Sequence, residues 1–190
     1  TTAGSFGYMV HYNGDGTYNP STGICEPFSV SNPLVTRTLG FWQTHTDFTW
    51  KVFTTQLGGS MPIGTAPHKG FITTKAQLFG GFYASIPYKT DGSKRNPIDK
   101  ARIQLLQQLI AAKLNCAAFG CTASVMAMIT NADNAYANGP ASAILAAASQ
   151  LDAYNNSGDG GTIPASLGDP GSATPDASQA VANLAYWDNP

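Results

Sequence analysis

Fourteen consecutive residues, Arg37 to Trp50, gather the side chains best able to do chemistry. They hold one of the three histidines, one of the three arginines, two of the three tryptophans and Asp47. A histidine two residues before an aspartate can move protons or ligate a metal. His45 with His11 and His68, however, matches neither the helical His-x-x-x-His pair nor the clustered Cys/His spacing of zinc sites. No Gly-x-Ser-x-Gly elbow presents a serine nucleophile. Cys25 beside Glu26, the only glutamate, is no thiol-protease signature, and a glycosidase pair would have to be built from aspartates. The stretch therefore reads as a structural hub of Arg37, Trp42, His45, Asp47 and Trp50. In it the two tryptophans anchor packing, and His45 is a polar group satisfied at a helix start.

Calcium has two weak candidates. Asn13-Gly14-Asp15-Gly16 and Asn155-Asn156-Ser157-Gly158-Asp159-Gly160 are oxygen-rich loops in which Asp15 and Asp159 could ligate. Neither has the spacing of a helix-loop-helix calcium site, and turn chemistry accounts for both equally well. No other cofactor is expected.

The hub sits where strand pattern gives way to helix pattern. Phe6, Tyr8, Val10 and Tyr12 alternate with Gly7, Met9 and His11, the period of a strand with one aromatic face. Asn13-Gly14-Asp15-Gly16 then signals a turn, with Thr17-Tyr18 expected to begin a return strand and residues 19–36 an irregular connector. Two strands alone are marginal in water, so this ribbon needs a cover from its own domain or from another chain.

Helices follow. Thr44 or Thr46 is expected to cap one through about Leu57, and Thr74 a shorter one through about Ala84, weakened by Gly80-Gly81. Asn96-Pro97 opens the best helix, with Ile98, Arg102, Leu105, Leu106, Leu109, Ile110 and Leu114 as one stripe ending near Cys116. Thr122, Pro140 and Thr174-Pro175 start three more, the last expected to run through Trp187. The fold class is mainly α: one helical domain of five to six helices over residues 36–190, with an N-terminal β-ribbon and connector over residues 1–35.

Composition narrows the partners. Only 11% of the 190 residues are charged and the net charge is −1, so no basic face points to nucleic acid. No segment approaches the roughly 20 apolar residues of a membrane span. The start Thr1-Thr2-Ala3-Gly4-Ser5, with no initiator Met, reads as a processed chain. Low charge with 20 Gly and 12 Pro is a composition met more often in secreted and cell-surface proteins. Three cysteines allow one disulfide and one leftover thiol. Cys116 and Cys121, flanking a helix end, are the first choice of pair and Cys25 the odd one, with a bridge from Cys25 to either as the alternative.

The hub motif Arg37-Thr38-x-Gly40-Phe41-Trp42-x-x-His45 resembles the Arg-Thr-x-Gly-(Phe/Tyr)-Trp-x-x-His signature of a family of secreted or cell-surface prokaryotic proteins of uncharacterised function. Gln108–Asn115, Leu151–Asp159 and Ala173-Thr174-Pro175 resemble further stretches of it, so the likeness covers roughly residues 36–187 and leaves the ribbon outside. The resemblance implies an extracellular address and a helical domain, and puts no residue in a catalytic role.

Together these readings lead to the expectation of a secreted structural protein, not an enzyme. It would self-associate with copies of itself into a filament or sheath, using Phe6, Tyr8, Val10 and Tyr12 as the assembly surface. A monomeric extracellular module binding calcium or glycans is the alternative, and a secreted hydrolase the third. A pocket collecting His45, Asp47 and another carboxylate would favour the hydrolase.

Overall fold

The computed structural model describes the backbone of residues 4–30 and 35–190, and side chains over 7–26 and 35–190. The chain divides into two compact units, Thr1–Pro33 and Leu34–Pro190.

In the first unit, strand β1 (Gly4–Tyr8) pairs antiparallel with β4 (Glu26–Val30), and β2 (His11–Tyr12) with β3 (Ser21–Thr22). The ribbon expected from the alternation is present, but its return strand does not begin at Thr17-Tyr18. Those two amides donate to Asp15 Oδ1 at 2.8 Å each, which spends them on the turn and delays pairing to Ser21. Part of the expected connector, Ser21–Thr22 and Glu26–Val30, is therefore strand. Phe6 lies on β1 opposite Phe28, its side chain outside the described ones.

The second unit is helical: α1 (Leu39–Thr44), α2 (Thr46–Gln56), α3 (Lys75–Tyr83), α4 (Pro97–Phe119), α5 (Ala123–Asn138), α6 (Ala141–Asn156) and α7 (Pro175–Val181). A small hairpin, β5 (Met61–Ile63) with β6 (Gly70–Ile72), adds Met61, Ile63 and Ile72 to the core. The five to six expected helices become seven among the described residues, because the hub forms its own short helix α1. Thr38 caps that helix by accepting from the Phe41 amide at 3.1 Å. The junction between α1 and α2 falls on His45, and neither Thr44 nor Thr46 caps α2.

Local capping chemistry explains three other starts. Thr74, Asn96 and Thr122 each accept a backbone N–H in the first turn of α3, α4 and α5. The core closes around α4, which buries Ala101, Ile103, Leu105, Leu106, Leu109, Ile110, Ala111, Ala112 and Leu114. A helix apolar on nearly every side is one enclosed by its neighbours, here chiefly α6, α5, α2 and α3. One position departs from the expected stripe, Ile98, which is 41% exposed; Arg102 is buried within it, donating to Tyr136 O at 2.9 Å and paired with Asp99 at 3.2 Å.

Gly80 and Gly81, expected to weaken α3, instead let it pack closely. A Cβ at Gly80 would lie 2.2 Å from Asn183 O, and one at Gly81 2.5 Å from Ile110 Cδ1. The final helix ends at Val181, not Trp187, because the Asn183 amide donates to Ala76 O at 2.8 Å. A separate 3-10 turn, Ala185–Trp187, then buries Trp187, whose indole N–H donates to Gln77 O at 2.9 Å. No helix among the described residues is long and apolar enough to cross a membrane.

Candidate functional site

The hub is anchored from below by Asn115 of α4. Its Oδ1 accepts the Arg37 amide at 2.7 Å and the Trp42 indole N–H at 3.0 Å, while its Nδ2 donates to Arg37 O and to Asn155 Oδ1 at 2.9 and 3.0 Å. Asn155 passes the chain on to Gln108 Oε1 at 2.8 Å. Thr36 holds the following loop, accepting the Gly158 amide at 2.8 Å. Trp42, Thr36, Asn115 and Asn155 are all fully buried. No buried side-chain N or O among the described residues lacks a partner, so the network is complete and rigidifying.

Above it stands a column of flat groups. The Arg37 guanidinium lies 5.4 Å from the Phe41 ring centre and 5.9 Å from that of Phe119, and His45 stacks on Phe41 at 4.0 Å. Arg37 is buried without a carboxylate within ion-pair distance among the described residues. It donates instead to Thr36 O at 2.8 Å and to Gly161 O. His45 Nδ1 sits 2.9 Å from Phe41 O. A carbonyl only accepts, so Nδ1 carries a proton, and in the neutral tautomer this selects, the lone pair lies on Nε2.

The rest of the hub spreads outward. Asp47 is almost wholly exposed and pairs with Lys75 at 3.0 Å, and the half-buried Trp50 stacks on Phe53 at 5.2 Å. The motif thus gets a reason at every position except one: Gly40 has room for a side chain, and nothing in the structure explains its being glycine.

A cavity of about 380 Å³ does collect His45, Asp47 and a second carboxylate, Asp169, together with Lys51. Each charged partner is already employed. Asp47 holds Lys75, Lys51 donates to Leu167 O at 2.9 Å, and Asp169 accepts the Gly171 amide at 2.9 Å. His45 is oriented by a carbonyl, not by a carboxylate. The cavity therefore offers the imidazole of His45 beside the hydroxyls of Thr46, Ser172 and Thr174, with no carboxylate orienting the ring.

The ribbon is a different kind of surface. Every residue from Gly7 to Glu26 is exposed except Gly14, including Tyr8, Met9, Val10, Tyr12, Tyr18 and Ile24. Among the described residues, the buried hydrophobic ones all lie between Trp42 and Trp187. Tyr8, Val10 and Tyr12 are on the surface as expected of an assembly face, and so are the residues of the opposite face.

The calcium candidates are not brought together as a site. Asp15 takes hydrogen bonds from the Thr17 and Tyr18 amides and from Tyr12, which hold its carboxyl below the usual range, Tyr12 contributing most. Asp159 is exposed on its loop. Among the described residues no three His, Cys, Asp or Glu are grouped to hold a metal ion. Cys116 and Cys121 form the disulfide, Cα atoms 4.9 Å apart, and Cys25 is free and exposed.

Sequence reasoning missed Asn115, Asn155 and Thr36. The available signal was a lone asparagine on the buried side of α4, where an amide survives only if fully hydrogen-bonded. Comparison of the chain with protein-family models, curated proteins and solved structures gave no match.

Proposed function

We propose that this chain is an extracellular structural protein that self-assembles, into a filament or sheath, through its N-terminal ribbon. The observation that carries the reading is the exposure of the ribbon over residues 7–26, while every buried hydrophobic residue among the described ones belongs to the helical unit. A bare two-stranded ribbon is marginal in water, and aromatic and aliphatic side chains on both faces gain stability once covered. The extracellular address is supported by the resemblance of the Arg37–His45 motif, by the low charge, and by the Cys116–Cys121 disulfide, a bond favoured in oxidising compartments.

Sedimentation and negative-stain microscopy test this. The full chain is expected to form polymers, and a chain lacking residues 1–18 to stay monomeric while keeping its helical circular dichroism. A truncated chain that polymerises as before, or a full chain that remains monomeric, overturns the reading.

The His45 cavity favours a second reading, a hydrolase using His45 Nε2 as general base. His45→Asn tests it, since an Asn amide can keep the bond to Phe41 O while removing Nε2. Turnover of an activated ester, abolished in that variant, would support the hydrolase; a wild-type chain without turnover sinks it.

A further inference from the structure

The helical unit carries an apolar groove that nothing in its own core explains. About 530 Å³ in volume, it is lined by Leu57, Met61, Pro62, Met126, Ile129 and the Cys116–Cys121 disulfide. That volume is in the range of about 300–1,000 Å³ typical of ligand pockets. The one charged lining residue, Lys113, is already held by Asp133 at 2.8 Å, so the groove selects for an uncharged, aliphatic occupant.

The same chain carries such an occupant. Tyr8 pairs with Glu26 and His11 with Thr22, which leaves Met9-Val10 facing Gly23-Ile24-Cys25, two residues against three. This is a bulge, the device by which a ribbon twists and re-aims its side chains. The Gly23 amide closes it by donating to Val10 O at 2.9 Å. Met9, Val10 and Ile24 are 61%, 65% and 90% exposed, an aliphatic knob at the waist of the ribbon.

We propose that the groove is the acceptor for the ribbon of a second copy of this chain, with Met9, Val10 and Ile24 as anchors. The inference rests on the self-assembly reading and adds its acceptor. Three considerations favour a second copy over an unrelated partner. Donor and acceptor are supplied one each by every chain, a head-to-tail arrangement that extends into an open polymer unless its rotation closes a ring. Gly7 to Glu26 offers about 20 residues, the size of one side of a standard interface of roughly 20–30 residues. The three anchors carry no charge and the one charged group of the groove lining, Lys113, is paired with Asp133, so seating them in the groove strands none.

The test uses the full chain with photoreactive benzoylphenylalanine in place of Val10, mixed with isotopically heavy wild-type chain, irradiated and mapped by mass spectrometry. The expected product joins the Val10 peptide to a heavy peptide containing Leu57–Met61 or Met126–Ile129. Cross-links to another surface, or only within one copy, overturn the proposal. Two variants separate it from the reading beneath it: Met126→Asp with Ile129→Asp in the groove, and Val10→Asp with Ile24→Asp in the knob, each checked by circular dichroism and melting. Loss of polymer in both, with the helical signal kept, supports the groove as acceptor. A groove variant that polymerises like wild type while the knob variant does not leaves ribbon assembly standing and sinks the groove. If both polymerise like wild type, ribbon assembly itself falls. Should the groove variant fail to fold, the cross-link map alone decides.

Discussion

Asn115 Oδ1 receives the Trp42 indole N–H at 3.0 Å while also receiving the Arg37 amide at 2.7 Å, so one side-chain oxygen on α4 fixes both ends of the hub's first turn. Replacing it leaves several buried donors and acceptors without partners at once. Each such group costs about 1–3 kcal/mol, so Asn115→Ala is expected to lose about 3 kcal/mol or more in a denaturant titration. A loss under about 1 kcal/mol would mean that the network relaxes or that water replaces the amide.

This network marks the limit of what the sequence discloses. Thr74, Asn96-Pro97 and Thr122 announce their helices because a cap is a contact between residues three apart, visible in the string itself. Arg37 and Asn115 are 78 positions apart, and no local pattern connects them. The stripe on α4 was legible, but its alanines carry too little hydrophobicity to reveal that Ala101, Ala111 and Ala112 also face neighbours. The end of α7 at Val181 depends on a bond from Asn183 to Ala76 O, again a tertiary event. Of the candidate sites, the cysteine arrangement followed from spacing, whereas the alternation of Tyr8, Val10 and Tyr12 marked one face of a strand and left open whether its own domain covers it. Neither the cavity at His45 nor the groove followed from spacing, because each is assembled from distant segments.

Gly80 offers a case where propensity and packing oppose. Alanine is the better helix former by about 1 kcal/mol, so an isolated α3 would be stabilised by Gly80→Ala. In the folded chain its Cβ would meet Asn183 O at 2.2 Å, backbone that cannot swing aside like a flexible side chain. The expected result is a net loss of about 1–3 kcal/mol, the usual cost of overpacking. A thermal melt showing higher Tm for the variant would mean that the segment after α7 moves off α3 freely.

Alkaline pH is expected to loosen the helical unit. Burial pushes the Tyr154 phenol up to about 12, and burial also raises Tyr136 well above its ordinary value. In the unfolded chain both ionise near about 10. The folded state holds these protons more tightly, so their contribution is fully present below about pH 10 and is lost as pH rises through about 12. Lys113 works in the opposite sense: burial lowers it despite Asp133, so the folded chain releases that proton first and gains relative stability as pH rises. The prediction is that Tm falls between about pH 10 and 12 and falls less steeply in Tyr154→Phe. Equal slopes would remove Tyr154 as a source.

Cys25 reports directly on what covers the ribbon. Its thiol is exposed and sits in the three-residue side of the bulge, next to Ile24, with its sulfur over Gly7 so closely that a Cβ there would come within 2.6 Å. Cys116 and Cys121 are bonded to each other, so a maleimide reads this position alone. Labelling is expected to be fast in dilute, unassembled protein and slowed about tenfold or more once polymers form, because a covered thiol reacts only in the open fraction. Labelling the monomer first is expected to block polymerisation, since a bulky adduct beside Ile24 would occupy the space the partner needs. Equal rates in the two states, together with normal assembly of the labelled chain, would place the contact between copies away from the bulge.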